Sequence, residues 1–313
     1  MTILLAILGI LVLAALAMLA ASINLMHQTT RPKGKRRTTY EQARSWVSAN
    51  TEEDMFSWHD SAKKEPFKLL SQGVELNCEY IPPANGSEVN KCLIRAHGYT
   101  QNMMLSVAYA RAFHNAGYGV VIYDQRAFGN SGGKVCSLGW KERLDMVELV
   151  KWARSKLGED TFIGLHGESM GAITALEAAP LIKNLGFVIA DSAPDNALNR
   201  FGETDQHSMP KEPTRTIAKL LGRLMGADLT QIDPISRLDS IDAPIMFIHG
   251  DADKAVPVEC SRLMFAKANG RPWRLSIFEG AQHVWNILVD TKRYEREVIE
   301  FANEAQKIWA EKQ

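Results

Sequence analysis

From about residue 66 to the C-terminus, short apolar runs alternate with stretches in which apolar residues recur at helical spacing. Runs rich in β-branched and aromatic residues are typical of buried strands, whereas longer amphipathic stretches are typical of helices packed on a sheet. The expected strands cover residues 74–81, 92–96, 119–123, 161–166, 187–190, 244–248 and 273–278. Helices are expected over 103–116 and over a stretch that ends near Gly158. The alternation predicts an α/β domain with a mostly parallel sheet and helices on both of its faces.

The N-terminal segment departs from this pattern, because Ile3 to Met26 contains no charged residue. The run is longer than the roughly 20 residues that cross a bilayer. A secretory signal peptide is the competing interpretation, but no Lys or Arg precedes the apolar run. We therefore expect residues 1–30 to form a transmembrane anchor that binds the protein to a membrane.

A basic cluster follows the apolar run, at Arg31, Lys33, Lys35, Arg36 and Arg37. Basic residues beside a membrane span favour the cytoplasmic side. We expect a single-pass protein of the cell membrane with its main domain in the cytoplasm, and an extracytoplasmic domain is the alternative. Residues 31–65 are expected to be a basic linker and a leading helix, and residues 66–313 the main domain.

Charge and cysteine content exclude several classes of protein. The formal net charge is +0, so no overall field attracts nucleic acid. No His, Cys or carboxylate cluster has metal-ligand spacing, and we expect neither a metal nor a cofactor.

The chain has 4 cysteines and no C-x-x-C motif. Cys78 and Cys92 flank a predicted hairpin with its turn near Asn85–Gly86, and we favour reduced thiols there over a cross-strand disulfide. The sequence leaves the oligomeric state open.

The pentapeptide Gly167-Glu168-Ser169-Met170-Gly171 carries the clearest chemical signal. A strand-like run precedes it and a run of helix-forming residues follows it, which is the strand–turn–helix context of a nucleophilic serine. Such a serine must stand on a strained turn where bulky neighbours would collide, and glycines at both flanks suit that need. Ser169 is therefore the predicted nucleophile.

A serine nucleophile needs a base and an acid that orients the base. On a strand–turn–helix elbow the order along the chain is Ser, then Asp or Glu, then His. Asp253 follows the strand 244–248, and His283 is the only histidine after it. We predict Asp253 and His283 as acid and base. Asp251 and Asp191 remain alternative acids, since each also follows a predicted strand.

These motifs resemble those of α/β-hydrolase-fold serine hydrolases, in the esterase, monoglyceride-lipase-like and oligopeptidase-like part of that superfamily. The resemblance extends from about Pro66 to the C-terminus and rests on residues 95–99, 123–132, 167–171 and 249–257. It implies an eight-stranded, mostly parallel sheet with one antiparallel strand. It also implies that the backbone N–H groups of Tyr99 and Met170 form the oxyanion hole. Ala127 is a departure, because relatives often have glycine there.

The strand–helix alternation lapses between residues 192 and 243, which we expect to form a small cap insert over the site. Apolar residues share one face of a predicted helix in this insert, at Ile217, Leu220, Leu221, Leu224 and Met225. The face is expected to pack on the domain, and a surface that touches lipid or guides an apolar acyl chain is the alternative.

The combined prediction is a serine hydrolase that cleaves a carboxylic ester, or a related acyl bond, of a small or lipid-like substrate through an acyl-enzyme. A serine peptidase and an acyltransferase are alternatives within catalysis. A non-catalytic binding protein on the same fold is the alternative outside catalysis, and a missing triad member would have supported it.

Overall fold

The computed structural model describes residues 2–31, 38–84, 90–99, 101–196, 211–224, 226 and 229–312. Its strands are β1 (Glu65–Ser71), β2 (Val74–Ile81), β3 (Lys91–Ala96), β4 (Gly119–Tyr123), β5 (Phe162–Glu168), β6 (Phe187–Asp191), β7 (Ile245–Gly250) and β8 (Arg274–Phe278). They form one 8-stranded sheet in the order β1-β2-β4-β3-β5-β6-β7-β8. β2 is antiparallel to both of its neighbours, and the pairs from β4 to β8 are parallel. The predicted fold, with its single antiparallel strand, is confirmed.

The helices are α1 (Thr2–Thr30), α2 (Tyr40–Ser48), α3 (Ser57–Ser61), α4 (Met103–Asn115), α5 (Glu142–Leu157), α6 (Met170–Ala178), α7 (Lys211–Leu224), α8 (Pro234–Arg237), α9 (Glu259–Ala266), α10 (Asn286–Val289) and α11 (Thr291–Ala310). The sheet separates two apolar cores. One core is formed with α5, α6 and α9. The other is formed with α2, α4, α10 and α11. Helices on both faces bury the central strands completely, which explains why those strands read as continuous apolar runs.

The edge of the sheet differs from the sequence prediction. A hairpin of strands 74–81 and 92–96 was expected, but β4 lies between β2 and β3. Cys78 pairs with Tyr123 of β4, and Cys92 pairs with Gly119 of the same strand. The two cysteines are therefore not cross-strand neighbours, and both are free thiols. The expected turn near Asn85–Gly86 lies outside the described residues.

The prediction of a transmembrane anchor, and with it the localisation in the cell membrane, is wrong. No helix in the described part of the chain has the length and apolar character of a membrane span. The apolar N-terminal run forms α1, which lies against α7. At its C-terminal end the Thr30 carbonyl accepts a hydrogen bond of 2.8 Å from the Cys136 N–H. The predicted basic cluster lies outside the described residues from Lys33 onwards.

Candidate active site

Ser169 lies on a sharp turn between β5 and α6. Its backbone angles are φ +51° and ψ −115°, a conformation that is strained for a residue with a Cβ. The turn is possible only because its flanks are glycines. A Cβ on Gly167 would lie 2.0 Å from the Gly171 carbonyl oxygen, and one on Gly171 would lie 2.2 Å from the Ala96 carbonyl oxygen. Backbone packing thus imposes the glycine spacing that the sequence displays.

The three residues predicted as nucleophile, base and acid lie together. Nε2 of His283 is 2.9 Å from Oγ of Ser169, and Nδ1 of His283 is 2.7 Å from Oδ2 of Asp253. The His283 side chain is 27% exposed and that of Asp253 is fully buried. The hydroxyl can therefore give its proton to Nε2 while the carboxylate accepts a hydrogen bond from the Nδ1–H group, which is the geometry of an activated serine.

Asp253 is held by donors on both of its oxygens. Oδ1 accepts hydrogen bonds from the N–H groups of Ala255 and Val256, at 2.9 and 2.8 Å. Oδ2 faces His283 and also Nε2 of His249, which is 3.3 Å away. Burial by itself would raise the pKa of Asp253, but the hydrogen bonds from His249 and His283 hold that pKa below its ordinary value. The carboxylate stays ionised and fixed in direction.

The alternative acids have other partners. Asp251 is exposed and accepts a 2.7 Å hydrogen bond from the Gly280 N–H, so it orders the turn before His283. Asp191 is fully buried, and its carboxylate is bonded by Asn286, Ser192 and Tyr294. In the described structure Asp253 alone of these three acids has a hydrogen bond to His283.

One predicted oxyanion donor begins a helix, and the other lies on a loop that hydrogen bonds hold in place. Met170 is the first residue of α6, where backbone N–H groups have no partner within the helix. Tyr99 follows His97 and Gly98. The N–H of Gln125 donates to Nε2 of His97 at 2.9 Å, and the Gln125 side chain donates to the His97 carbonyl at 2.6 Å. Because Nε2 accepts, Nδ1 carries the proton and donates to the Gly98 carbonyl at 2.7 Å.

Ala127, the departure from the family pattern, keeps the shape that a glycine would give. Its φ is +67°, in the left-handed region where glycine is normally found. Its N–H donates to the Gly132 carbonyl at 2.8 Å. The next residue, Phe128, is buried with its ring centroid 5.5 Å from that of Tyr99. The loop therefore still supports the segment that carries Tyr99.

The described part of the insert touches the site through α7. Ile217 of this helix is buried in an apolar cluster with Phe128, Met170 and Ile173. Leu220 and Leu224 are 50% and 75% exposed, so only part of the predicted apolar face is buried. The side chain of Leu221 and the residue Met225 lie outside what the structure describes, as do residues 197–210.

Sequence reasoning missed two groups that support the site. His249 contacts Asp253 four residues later, a spacing visible in the sequence once Asp253 was chosen. The buried ion pair of Arg95 and Glu168, at 2.8 Å, lies next to the nucleophile, and Oε1 of Glu168 accepts a 3.3 Å hydrogen bond from the Gly98 N–H. Sequence spacing does not reveal that pair, because 73 residues separate its members.

Comparison with known proteins places the chain in a family. Residues 36–211 match the family described as X-Pro dipeptidyl-peptidase (S15 family). The protein YqkD of Bacillus subtilis, itself described as uncharacterized, is 30% identical in an alignment 272 residues long that covers 82% of this chain and 88% of YqkD. The chain therefore belongs to the S15 family.

Solved structures support the same class of enzyme. The esterase Pf2001 of Pyrococcus furiosus is 28% identical and superposes with a TM-score of 0.65, covering 80% of this chain and 95% of the esterase. Est1E of Butyrivibrio proteoclasticus, solved with ferulic acid bound, has a TM-score of 0.62 at 21% identity, covering 75% of this chain and 98% of Est1E, and shows the fold alone. The chain is a serine hydrolase of the α/β-hydrolase superfamily that cleaves an ester or a related acyl bond.

Proposed function

We propose that Ser169 is the nucleophile of this S15-family hydrolase, that His283 is its base and that Asp253 orients the imidazole. The hydrogen-bonded series from Ser169 Oγ through His283 to Asp253 Oδ2, at 2.9 and 2.7 Å, is the observation that carries the proposal. The backbone N–H groups of Tyr99 and Met170 are the oxyanion donors. Residues 66–313 are the catalytic domain, with the cap insert at about 192–243.

The reaction follows from these roles. Oγ of Ser169 attacks the substrate carbonyl carbon while Nε2 of His283 takes the hydroxyl proton. The carbonyl oxygen becomes negatively charged and is held by the two N–H groups, a contribution commonly worth about 100- to 1000-fold in kcat for each donor. The carbon–oxygen bond to the leaving group breaks, and His283 gives that oxygen its proton. Water, deprotonated by His283, then attacks the acyl-enzyme, releases the acid and restores Ser169.

A carboxylic ester of a small or lipid-like acyl group is the proposed substrate class. The likeness to the esterase Pf2001 supports it. Binding a peptide by its free amine needs carboxylates that are available near the nucleophile. Among the described residues, the Glu168 carboxylate is paired with Arg95, and the Glu142 carboxylate accepts hydrogen bonds from Ser137 and the Gly139 N–H. Neither carboxylate is therefore available to bind a free amine.

A peptidase that removes an X-Pro dipeptide is the second candidate, because residues 36–211 match the family that bears this description. Two assays separate the candidates. A panel of p-nitrophenyl esters of increasing acyl length is compared with dipeptidyl anilides that have proline in the second position. Turnover of the esters without turnover of the anilides supports the esterase, and the opposite result supports the peptidase.

The proposed nucleophile is tested with a fluorophosphonate probe, which reacts covalently with activated serines. We expect one labelled residue, Ser169, in the wild type and no labelling of Ser169→Ala. Ser106→Ala is the matched control, since Ser106 is a buried serine that lies on α4 and not on the elbow. Full labelling of Ser169→Ala would contradict the assignment.

A further inference from the structure

A buried polar cluster contacts the backbone of Ser169 and of the residue after His283, and it contains none of the three proposed catalytic residues. We call it the Asp191 network. Its members come from β5, β6, the residue after β6, and helices α10 and α11, and all have an exposed fraction of 1% or less: His166, Asp191, Ser192, Asn286 and Tyr294. Buried polar groups cost free energy unless they are paired, so a cluster of this size requires a reason.

The Asp191 carboxylate organises the cluster. Oδ1 accepts hydrogen bonds from the Asn286 amide at 2.7 Å and from the Ser192 hydroxyl at 2.9 Å. Oδ2 accepts one from the Tyr294 hydroxyl at 2.9 Å. Burial raises the pKa of Asp191, and the three donated hydrogen bonds act against that shift because they favour the ionised form, which can only accept.

His166 extends the cluster on the far side of Tyr294. Its Nε2 is 3.0 Å from the Tyr294 hydroxyl oxygen. Because that hydroxyl gives its proton to Asp191, Nε2 of His166 must be the donor. Burial lowers the pKa of His166 well below its ordinary value, so the ring is neutral. His166, Tyr294 and Asp191 thus form one series of donors that ends on the carboxylate.

The Asp191 network contacts Val284, the residue that follows the proposed base His283. Val284 has φ +58°, which is an outlier for a β-branched residue. The N–H of Val284 faces Oγ of Ser192 at 3.4 Å, and its carbonyl accepts a 3.0 Å hydrogen bond from the Tyr109 hydroxyl. A strained conformation persists only where its surroundings fix it. Ser192 and Tyr109 hold the peptide groups beside His283 and therefore influence the direction of the imidazole.

Asp191 also contacts the proposed nucleophile. The N–H of Ser169 donates a 2.8 Å hydrogen bond to the Asp191 backbone carbonyl. Asp191 therefore contacts the Ser169 backbone directly and the turn after His283 through Ser192 and Asn286. The two turns come from segments 114 residues apart, and the separation of Oγ and Nε2 depends on both.

We propose that Asp191 is a positioning residue, which sets the distance and angle between Ser169 and His283 through Ser192 and Asn286. The inference rests on the proposed roles of those two catalytic residues. Asp191 contacts no reacting atom, so its substitution should lower kcat and leave substrate binding unchanged.

Ser192→Ala tests the connection to Val284. The substitution removes the acceptor of the Val284 N–H and leaves every proposed catalytic side chain in place. We expect kcat to fall about 10- to 100-fold, the loss that a small misplacement of a catalytic group produces, with KM unchanged. Ser106→Ala is the matched control, because Ser106 is buried and its hydroxyl has no hydrogen-bond partner among the described residues. It should keep wild-type kcat.

A charge exchange between Asp191 and Asn286 tests the network more sharply. Asp191→Asn replaces one accepting oxygen by an amide NH₂ donor, which then opposes either the donors of Asn286 and Ser192 or the hydroxyl of Tyr294, and we expect the same loss of kcat. The double variant Asp191→Asn with Asn286→Asp restores one donor facing one acceptor, and we expect it to recover at least tenfold of that loss. A role in stability alone predicts that kcat of every folded variant stays at the wild-type value.

The Nδ1 proton of His283 gives a readout that does not depend on turnover. When bonded to Asp253 it should give a downfield proton NMR resonance, which Asp253→Asn abolishes. We expect Ser192→Ala to shift or broaden this resonance and the double variant to restore it. An unchanged resonance and unchanged kcat in Ser192→Ala would overturn the inference. Absence of fluorophosphonate labelling in the wild type would instead contradict the proposed function, and the resonance would still report on the network.

Discussion

At the scale of single residues, the site depends on backbone conformations that residues with a Cβ rarely adopt. Ser169, Ser192 and Val284 all have positive φ, between +51° and +58°. The backbone N–H of each residue forms a hydrogen bond to another segment of the chain. The chemistry therefore rests on strained turns that are held from outside, which is common where reactive groups must be presented in one direction.

The acid of the site can be identified by a pair of isosteric substitutions. We expect Asp253→Asn to lower kcat by about 10⁴-fold, the size of the effect when the orienting carboxylate of a triad becomes an amide. Asp251→Asn should cost far less, because Asp251 is exposed and, among the described residues, its carboxylate accepts a hydrogen bond only from the Gly280 N–H. Steady-state kinetics on one ester substrate checks both. A larger loss for Asp251→Asn would show that the acid is misassigned.

The elbow glycines should be intolerant of any side chain. A Cβ on Gly171 would lie 2.2 Å from the Ala96 carbonyl oxygen, which is backbone and cannot turn away. We expect Gly171→Ala to destabilise the protein by at least about 1–3 kcal/mol, the cost of overpacking, and to abolish probe labelling. Gly9→Ala is the control, since nothing lies within 4 Å of its added Cβ. Urea unfolding measures the first effect, and normal stability of Gly171→Ala would refute it.

At the scale of secondary-structure elements, the C-terminal helix α11 closes one face of the sheet. Its buried side includes Tyr294, Val298 and Phe301, and its other side is exposed. Tyr294 also bonds the Asp191 carboxylate. The helix therefore joins the apolar core to the polar groups under the site, although it contributes no proposed catalytic residue.

The contribution of α11 to stability can be measured at one position. Phe301 is 2% exposed, and its ring centroid is 6.1 Å from that of Phe187. We expect Phe301→Ala to lower the free energy of unfolding by about 3–5 kcal/mol, as for other buried Phe→Ala substitutions. Asn303→Ala on the exposed side should change it by less than about 0.5 kcal/mol. Equal effects in urea unfolding would show that the helix does not pack as described.

At the scale of the whole molecule, the sheet order decides which distant segments meet. β5, β6 and β7 are neighbours and parallel, so their carboxyl ends lie at one edge. That edge carries Ser169, Asp191 and, just beyond β7, Asp253. The same arrangement buries His166 of β5 and His97 beyond β3. Burial lowers the pKa of both histidines, and both are neutral in the folded protein.

These two buried histidines should make the fold sensitive to acid. Below about pH 6.5 the unfolded chain binds a proton at each histidine, whereas the folded protein, with its lowered pKa values, does not. Stability should therefore fall as pH decreases from about 6.5 towards the folded-state pKa values, by up to about 1.4 kcal/mol per pH unit for each histidine.

Urea unfolding at pH 7 and pH 5.5 measures this slope. His166→Asn cannot take up the proton. The change in its free energy of unfolding with pH should therefore correspond to about one bound proton fewer than in the wild type. A free energy of unfolding that is constant between these pH values would show that the buried histidines are not neutral in the fold.

The sequence by itself determined the local features of this protein. The apolar runs predicted every strand of the sheet except β1, because a strand buried on both faces must be apolar throughout, whereas β1 lies at the edge and is half exposed. Ser169, Asp253 and His283 could be predicted because the order of the three residues and the strand-end positions leave few choices. The glycines of the elbow were visible because a Cβ would collide there.

The tertiary structure decided the features that depend on which segments become neighbours. β4 lies between β2 and β3, so Cys78 and Cys92 are apart although the sequence centres them on one turn. The apolar N-terminal run lies against α7, which its composition could not reveal. The partners of Asp191 come from three parts of the chain, and spacing carries no information about contacts across about 100 residues. A hydrogen bond between such segments exists only after the sheet has formed, because the sheet order alone brings them within reach.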